Sequence, residues 1–436
     1  MMHTRRVLGV AAAAATVTGL LFPTQAAFAV TPPCAFTPSG TTESISENCT
    51  LSATHVVPDG WTLDGNGFTI TADPSGTFTR GVIESTPGTA ATVPTSLAVA
   101  HLNLVGVPDG VDGILFDGAQ GHLKDVTITG GQNGVEADND IGAGIGTGLT
   151  APQVKVGRTT IGSYQDAGVY AHGDLKLDVL QADLLSAQAS SGNAVAGVYI
   201  TNGAHGSVKD SHIRLSDVEP LDSTHFGAGV RIEKDNSGLP RRIEVKRNVF
   251  TGGNADFGIS VSNAFPTKIL TAATDCNLFR RNDTSADDHY GVGVGQWENS
   301  HKTNVQVTNS TFQGWNHATG TVSATSPFVA AGPANQIRTS TSTCAPGAPR
   351  HVSAKGGHHR IKVTWRAPTR LDYAPVTGYR IKAKTKGHRA VIKTVGATTR
   401  SAVLKGLRNN RRYVVTVTAV SNGGKTSATA RARTSG

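Results

Sequence analysis

The sequence predicts an all-β chain: a long solenoid of stacked parallel strands followed by a separate basic domain. Three observations carry this. Gly stands at 51 of 436 residues while aromatics are 6% and Met is 2, which favours strands and turns because Gly is a poor helix former. A hydrophobic content of 38% excludes a disordered chain. Two apolar motifs recur in step through the middle, and the charge divides sharply near residue 345, as expected of a chain too long for one core.

The first 29 residues read as a secretory signal peptide. Arg5 and Arg6 precede an apolar stretch from Val7 to Phe22, and Ala27-Phe28-Ala29 supplies the small-x-small cleavage site. The arginine pair leaves a twin-arginine route open. No later apolar run approaches the ~18 residues needed to span a bilayer, so a secreted, extracellular or cell-wall-associated chain without a membrane span is expected. Export makes Cys34, Cys49, Cys276 and Cys344 candidates for two disulfides. Cys34 with Cys49 would close a short loop and Cys276 with Cys344 would tether a later segment, but four cysteines allow 3 connectivities. Their spacing does not suit a zinc knuckle.

Within the region 30–344 a repeat runs from about Gly113 to Gly314: a Gly-φ-x-φ element, with φ apolar, begins at Gly113, Gly134, Gly168, Gly197, Gly229, Gly258 and Gly291. Between these lies a second element ending in Ile128, Ile161, Leu184, Ile213, Phe250, Phe279 and Phe312. Short alternation says strand, and the spacing is too long for a hairpin and lacks a βαβ helix. A solenoid of parallel strands satisfies both registers. Val135 and Ala137, Val169 and Ala171, Val198 and Ile200, Val230 and Ile232, and Ile259 and Val261 then point inward as ladders. Ser211, Asn248, Asn277 and Ser310 form a hydrogen-bonded ladder at an inner turn.

The repeats, together with Trp61–Thr71 and Ser96–Gly106, resemble a right-handed parallel β-helix of the pectin-lyase-like superfamily. The resemblance places the Cys34–Cys49 loop in an N-terminal cap. Residues 345–436 resemble a fibronectin type III β-sandwich, carried by Ile361–Pro368, Ala374–Lys384 and Leu404–Val420, with Trp365, Tyr379, Leu407 and Tyr413 at core positions. Ala345–Pro349 is a stiff linker. This last stretch holds 20 Lys and Arg against one acid, Asp372, a balance of +19, while the remaining residues hold 20 cations and 30 acids. An anionic cell-wall polymer is the expected partner of the basic domain, and the absence of an RNA or DNA motif argues against nucleic acid.

Chemistry has to come from outward residues, two and four past each glycine. One row reads Leu115, Glu136, Tyr170, Tyr199, Arg231, Ser260, Gly293; the next reads Asp117, Asp138, His172, Thr201, Glu233, Ser262, Gly295. Acids, a histidine, tyrosines and an arginine on one face have the composition of a saccharide groove. Glu136 and Asp138 are the candidate carboxyl pair of an inverting glycosidase, which needs ~6.5–9.5 Å between them. His172 tunes Asp138, Tyr170 and Tyr199 platform sugar rings, and Glu233 contacts substrate. A lyase reading instead makes Glu136, Asp138 and Asp140 calcium ligands and Arg231 the base; otherwise no cofactor is expected. The competing reading is a solvated outer strand.

Polygalacturonase-like β-helices carry NTD, DD, GHG and RIK segments in that order. Here AHGD at Ala171, RIEK at Arg231 and Asp287-Asp288 come in another order and NTD is missing, so those roles are not carried over. Asp287, Asp288 and His289 form a loop cluster, Trp297 and Trp315 are candidate sugar platforms, and the adjacent His358 and His359 point to opposite faces, unsuited to one metal. The function expected is polysaccharide cleavage, by hydrolysis or elimination. The alternative is a non-catalytic adhesin or wall protein using the β-helix as a rod.

Overall fold

The computed structural model describes residues 31–88, 94–139, 151–185, 195–214, 227–233, 241–252, 257–262, 270–280, 290–294, 303–308, 311–313, 336–340, 346–368, 376–421 and 424–436. Among these residues there is no helix, and the strands before residue 345 form three long sheets of 12, 9 and 10 strands. From Thr42–Ser44 to Thr311–Gln313 each sheet takes every third described strand in chain order, so successive coils contribute one strand to each, and the pairing is parallel throughout except at the first hairpin. This is a parallel β-helix.

The register joins Val135, Val169, Val198, Val230 and Ile259 directly, coil on coil. All five are fully buried, as are Ile128, Ile161, Leu184, Ile213, Phe250 and Phe279 of the second column. The last two rings stack with centroids 4.6 Å apart. The two registers repeat together for a steric reason. A Cβ on Gly134 would stand 2.1 Å from Cγ2 of Ile161, and one on Gly229 would stand 2.5 Å from the Phe250 ring. The glycine of each coil is where the bulky residue of the second column leans over the backbone.

The inner-turn ladder is present over its described length. The Asn248 Oδ1 accepts from the Ser211 N–H at 3.0 Å, its Nδ2 donates to the Val208 carbonyl at 2.9 Å, and Asn277 repeats the pattern one coil on toward Asn248 N–H and Val245. All three side chains are fully buried; Ser310 lies outside the described residues. Asn248→Ala deprives a buried N–H and a buried carbonyl of these partners, so a loss of about 2–4 kcal/mol is expected. Urea unfolding measures it, and an unchanged midpoint would show the ladder to be dispensable.

A second column escaped sequence reading. His101, Asp125, Arg158, Gln181, Asp210, Arg247 and Cys276 all take φ between 48° and 57°, the left-handed region that non-glycine residues enter rarely. They sit at one turn per coil, where stacking overrides local preference. Salt links Asp125 to Arg158 and Asp210 to Arg247 in this column at 2.6–2.8 Å.

Cys34 and Cys49 form a disulfide. Cys276 is also disulfide-bonded, while Cys344 lies outside the described residues. Disulfides fit an oxidising, extracellular setting, and no helix among the described residues is long and apolar enough to cross a membrane.

Residues from Arg350 on form a three-stranded and a four-stranded antiparallel sheet. They enclose a core of their own that includes Trp365, Tyr379, Leu407 and Tyr413, each at most 5% exposed. The Tyr413 hydroxyl accepts the Arg408 N–H at 2.9 Å, the corner bond typical of such sandwiches.

Candidate functional site

The nine-stranded sheet presents the two expected rows. Strands Asp112–Asp117, Asn133–Asn139, Ala167–Gly173, Val195–Thr201 and Gly227–Glu233 pair so that Leu115, Glu136, Tyr170, Tyr199 and Arg231 align, with Asp117, Asp138, His172, Thr201 and Glu233 alongside. The face is not an open, solvated strand. Side-chain exposure is 13% for Glu136 and Asp138, 18% for His172, 14% for Arg231 and 8% for Glu233. Several row members depart from the expectation of facing solvent: Leu115 is fully buried, and Thr201, Ser260 and Glu233 are buried as well.

At one end the acids converge on a cation that the repeat did not reveal. Arg80 Nη2 lies 2.9 Å from Glu136 Oε1 and 2.7 Å from Asp138 Oδ2, and its Nη1 lies 3.7 Å from Asp117. Two oxygens bonded to one nitrogen at those distances stand at most about 5.6 Å apart, closer than an inverting pair requires and near the ~5–5.5 Å of a retaining pair. Burial works against the charge of Arg80, but the Asp138 hydrogen bond and the fields of Glu136, Asp138 and Asp117 outweigh it and raise its pKa.

Glu136 is also held from behind. Asn133 Nδ2 donates to Asp112 Oδ1 at 3.0 Å and to Glu136 Oε2 at 3.2 Å, and the Asp112 and Glu136 carboxyls share a hydrogen bond. Burial, then that bond and the charge of Asp112, push Glu136 up to about 8 against the pull of Arg80. Burial raises Asp112 and Asp117 as well. Two carboxyls in hydrogen-bond contact need one proton between them, and burial raises both members of the pair.

The other end is aromatic and ionic. His172 Nδ1 approaches Asp138 Oδ1 at 3.7 Å, its other ring nitrogen meets the Asn202 amide, and its ring lies 5.9 Å from that of Tyr170. Tyr170 and Tyr199 are 5.1 Å apart and tilted by 40°. Arg231 lies over the Tyr199 ring at 4.5 Å and bonds Glu233 at 2.6 Å, while the Tyr199 hydroxyl donates to Glu233. Burial first, then the Glu233 charge and hydrogen bond, raise the phenol's pKa even though Arg231 opposes them. One face of Tyr199 is thus covered by guanidinium, which leaves Tyr170 the better placed of the two rings for a sugar. A guanidinium is always charged in proteins, and Arg231 sits against a carboxylate, so it is poorly suited to act as a base.

Sequence reading therefore placed Glu136, Asp138, His172, Tyr170, Tyr199, Arg231 and Glu233 on one face, and missed Arg80, Asp112, Asn133 and Asn202. Asp112 and Asn133 each stand immediately before a repeat glycine, a column that was in view but was not followed. Among the described residues no group of three or more His, Cys, Asp or Glu is arranged to hold a metal ion. Asp140, the third calcium ligand of the lyase reading, lies outside them, as do Asp287, Asp288, His289, Trp297 and Trp315. The rings of His358 and His359 meet edge to face at 4.3 Å, and His359 Nδ1 bonds the Leu407 carbonyl at 2.8 Å, tying two turns of the sandwich together.

No curated protein matches the chain. Solved structures similar to it include a myokine at 26% identity, covering 21% of this chain and 100% of that one with a TM-score of 0.19. The fn3 domain of human collagen alpha-1(XX) chain matches at 25% identity over 22% of this chain and 88% of that one, TM-score 0.19. The FN5 domain of Drosophila Lar matches at 24% over 21% and 99%, TM-score 0.18. The family model for the fibronectin type III domain matches residues 347–435, the stretch that folds as the two antiparallel sheets: the C-terminal part of this chain is a fibronectin type III domain.

Proposed function

We propose that the chain is a secreted polysaccharide-cleaving protein, a glycoside hydrolase whose groove is the face of the nine-stranded sheet. The observation that carries this reading is the convergence of Glu136 and Asp138 on Arg80 Nη2, which holds their nearest oxygens within about 5.6 Å of each other, with burial and Asp112 raising the pKa of Glu136 to about 8. Glu136 is then the acid that protonates the glycosidic oxygen, and Asp138 the second carboxylate, at a separation that favours retention. Asp112 and Asn133 position Glu136, and His172 positions Asp138. Tyr170 offers a ring face to the sugar, and Arg231 with Glu233 offers polar contacts further along the groove. The likeness of the repeats to pectin-lyase-like β-helices supports a glycan as ligand. Elimination is the weaker option, because Arg231 is a poor base.

Arg80 occupies the two oxygens that catalysis needs. At 46% side-chain exposure it is the group that must swing aside when substrate enters. That same clamp favours the second reading, a non-catalytic adhesin in which the cluster only braces the coils.

Incubation of the mature chain with neutral and acidic glycans separates the two. New reducing ends without unsaturated uronate absorbance are expected, falling at least 100-fold in Glu136→Gln. Silence across the panel supports the adhesin, and cleavage that survives both Glu136→Gln and Asp138→Asn places the site elsewhere.

A further inference from the structure

The outer face of the three-stranded sheet of the fibronectin type III domain carries cations against cations. Lys355 of strand Arg350–Gly357 lies directly opposite Lys362 of strand Arg360–Arg366, and Arg350 lies opposite Arg366. On the other side Arg360 lies opposite Lys405 of strand Ser401–Lys405. Lys355, Arg360, Lys362, Arg366 and Lys405 are all exposed. Directly opposed Cβ atoms stand ~4.5–5.5 Å apart, and Arg360 and Lys362 are ~6.7 Å apart along the strand. Four cations thus run as a zigzag across the three strands, Lys355 to Lys362 to Arg360 to Lys405, in steps of roughly 5, 7 and 5 Å.

Like charges directly opposed in an antiparallel ladder destabilise it. Three such pairs in one small sheet break a local rule, and natural sequences break such rules where a site requires it. No carboxylate of the domain's described residues relieves them, because the sole acid of the domain, Asp372, lies outside those residues. An external polyanion would relieve this repulsion.

We infer that the outer face of this sheet binds an anionic polysaccharide, a sugar polymer bearing regularly spaced carboxylates. The choice of a sugar polymer rests on the reading of the β-helix face as a glycan groove. The face itself argues against single-stranded nucleic acid, since among the outward residues around its cations, Ser353, Thr364, Ser401 and Val403, there is no Phe, Tyr or Trp on which bases stack. Serine and threonine hydroxyls between the cations suit sugar hydroxyls and carboxylates.

The test uses the full mature chain carrying Glu136→Gln, so that polymer is not consumed, titrated with polygalacturonate at several salt concentrations. Combining Lys355→Gln, Arg360→Gln and Lys362→Gln is expected to weaken binding at least tenfold and to flatten its salt dependence, with no fall in melting temperature because repulsion is relieved. Combining Arg380→Gln, Lys382→Gln and Lys384→Gln removes the same charge from the four-stranded sheet and is expected to change affinity less than twofold. Lys405→Gln alone is expected to weaken binding two- to threefold, which keeps the test open should the triple variant misfold.

Equal losses from both triples would reduce the effect to net charge and overturn the proposal. So would undiminished binding in the first triple, or duplex DNA bound as tightly through the same residues. Absence of cleavage by the unmutated chain leaves this outcome untouched, so the two readings fail separately.

Discussion

Gly134→Val is expected to abolish production of folded protein. The new Cβ alone would stand 2.1 Å from the Ile161 side chain and 2.8 Å from the Gly168 carbonyl, and valine adds two methyls to that. Ile161 is fully buried and held by neighbours above and below, so it has nowhere to retreat; overpacking of this severity exceeds the few kcal/mol a domain can lose. Gly157→Ala provides the contrast, since a Cβ there meets only the Leu123 carbonyl at 3.4 Å. Soluble yield and circular dichroism of the two variants read the difference. A folded Gly134→Val would mean that the coils stack more loosely than the register requires.

The second large effect is a decline of stability from mildly acidic to mildly alkaline pH. Glu136 binds its proton more tightly folded, at about 8, than at its ordinary value of 4.5. Between those pH values the native state holds a proton that the unfolded chain has released. Stability therefore falls as pH rises through this window, at no more than about 1.4 kcal/mol per pH unit for one group. Asp112, raised by burial, acts in the same sense. Asp125, Asp178 and Glu244, lowered within their own bonds, act oppositely but only in acid, near and below their ordinary values. Maximal melting temperature is thus expected near pH 5, with a fall toward pH 8 that Glu136→Gln flattens. A melting temperature constant or rising over that range would remove the shared proton from the site. If the chain is a hydrolase, the same proton sets the alkaline limb of its rate.

Much of this was legible in the chain. The double repeat revealed the coils because stacking forces the same two sizes, nothing at the glycine and bulk at Ile161 or Phe250, to recur in step. Counting two and four residues forward from each glycine found both site rows because strands alternate. The count ran forward only: Asp112 and Asn133 open the same strands one residue before their glycines, and so were not followed. Arg80 was invisible because its coil reads GVIE at Gly81, which breaks the motif. Leu115 was misplaced because alternation gives direction but not what covers a face. The left-handed column at Arg158, Gln181 and Arg247 had no sequence signal, since those residue types do not prefer that conformation and only the stack imposes it.

The first hairpin closes the molecule in a further sense. A stack of identical parallel rungs has no inherent length, and its bare end is a template for the next copy. Thr37–Ser39 runs against Thr42–Ser44 instead of along it, so the outermost edge of the largest sheet is turned the wrong way for another rung to join. By reversing one short strand, the chain withholds from any incoming copy the parallel register that its own coils share.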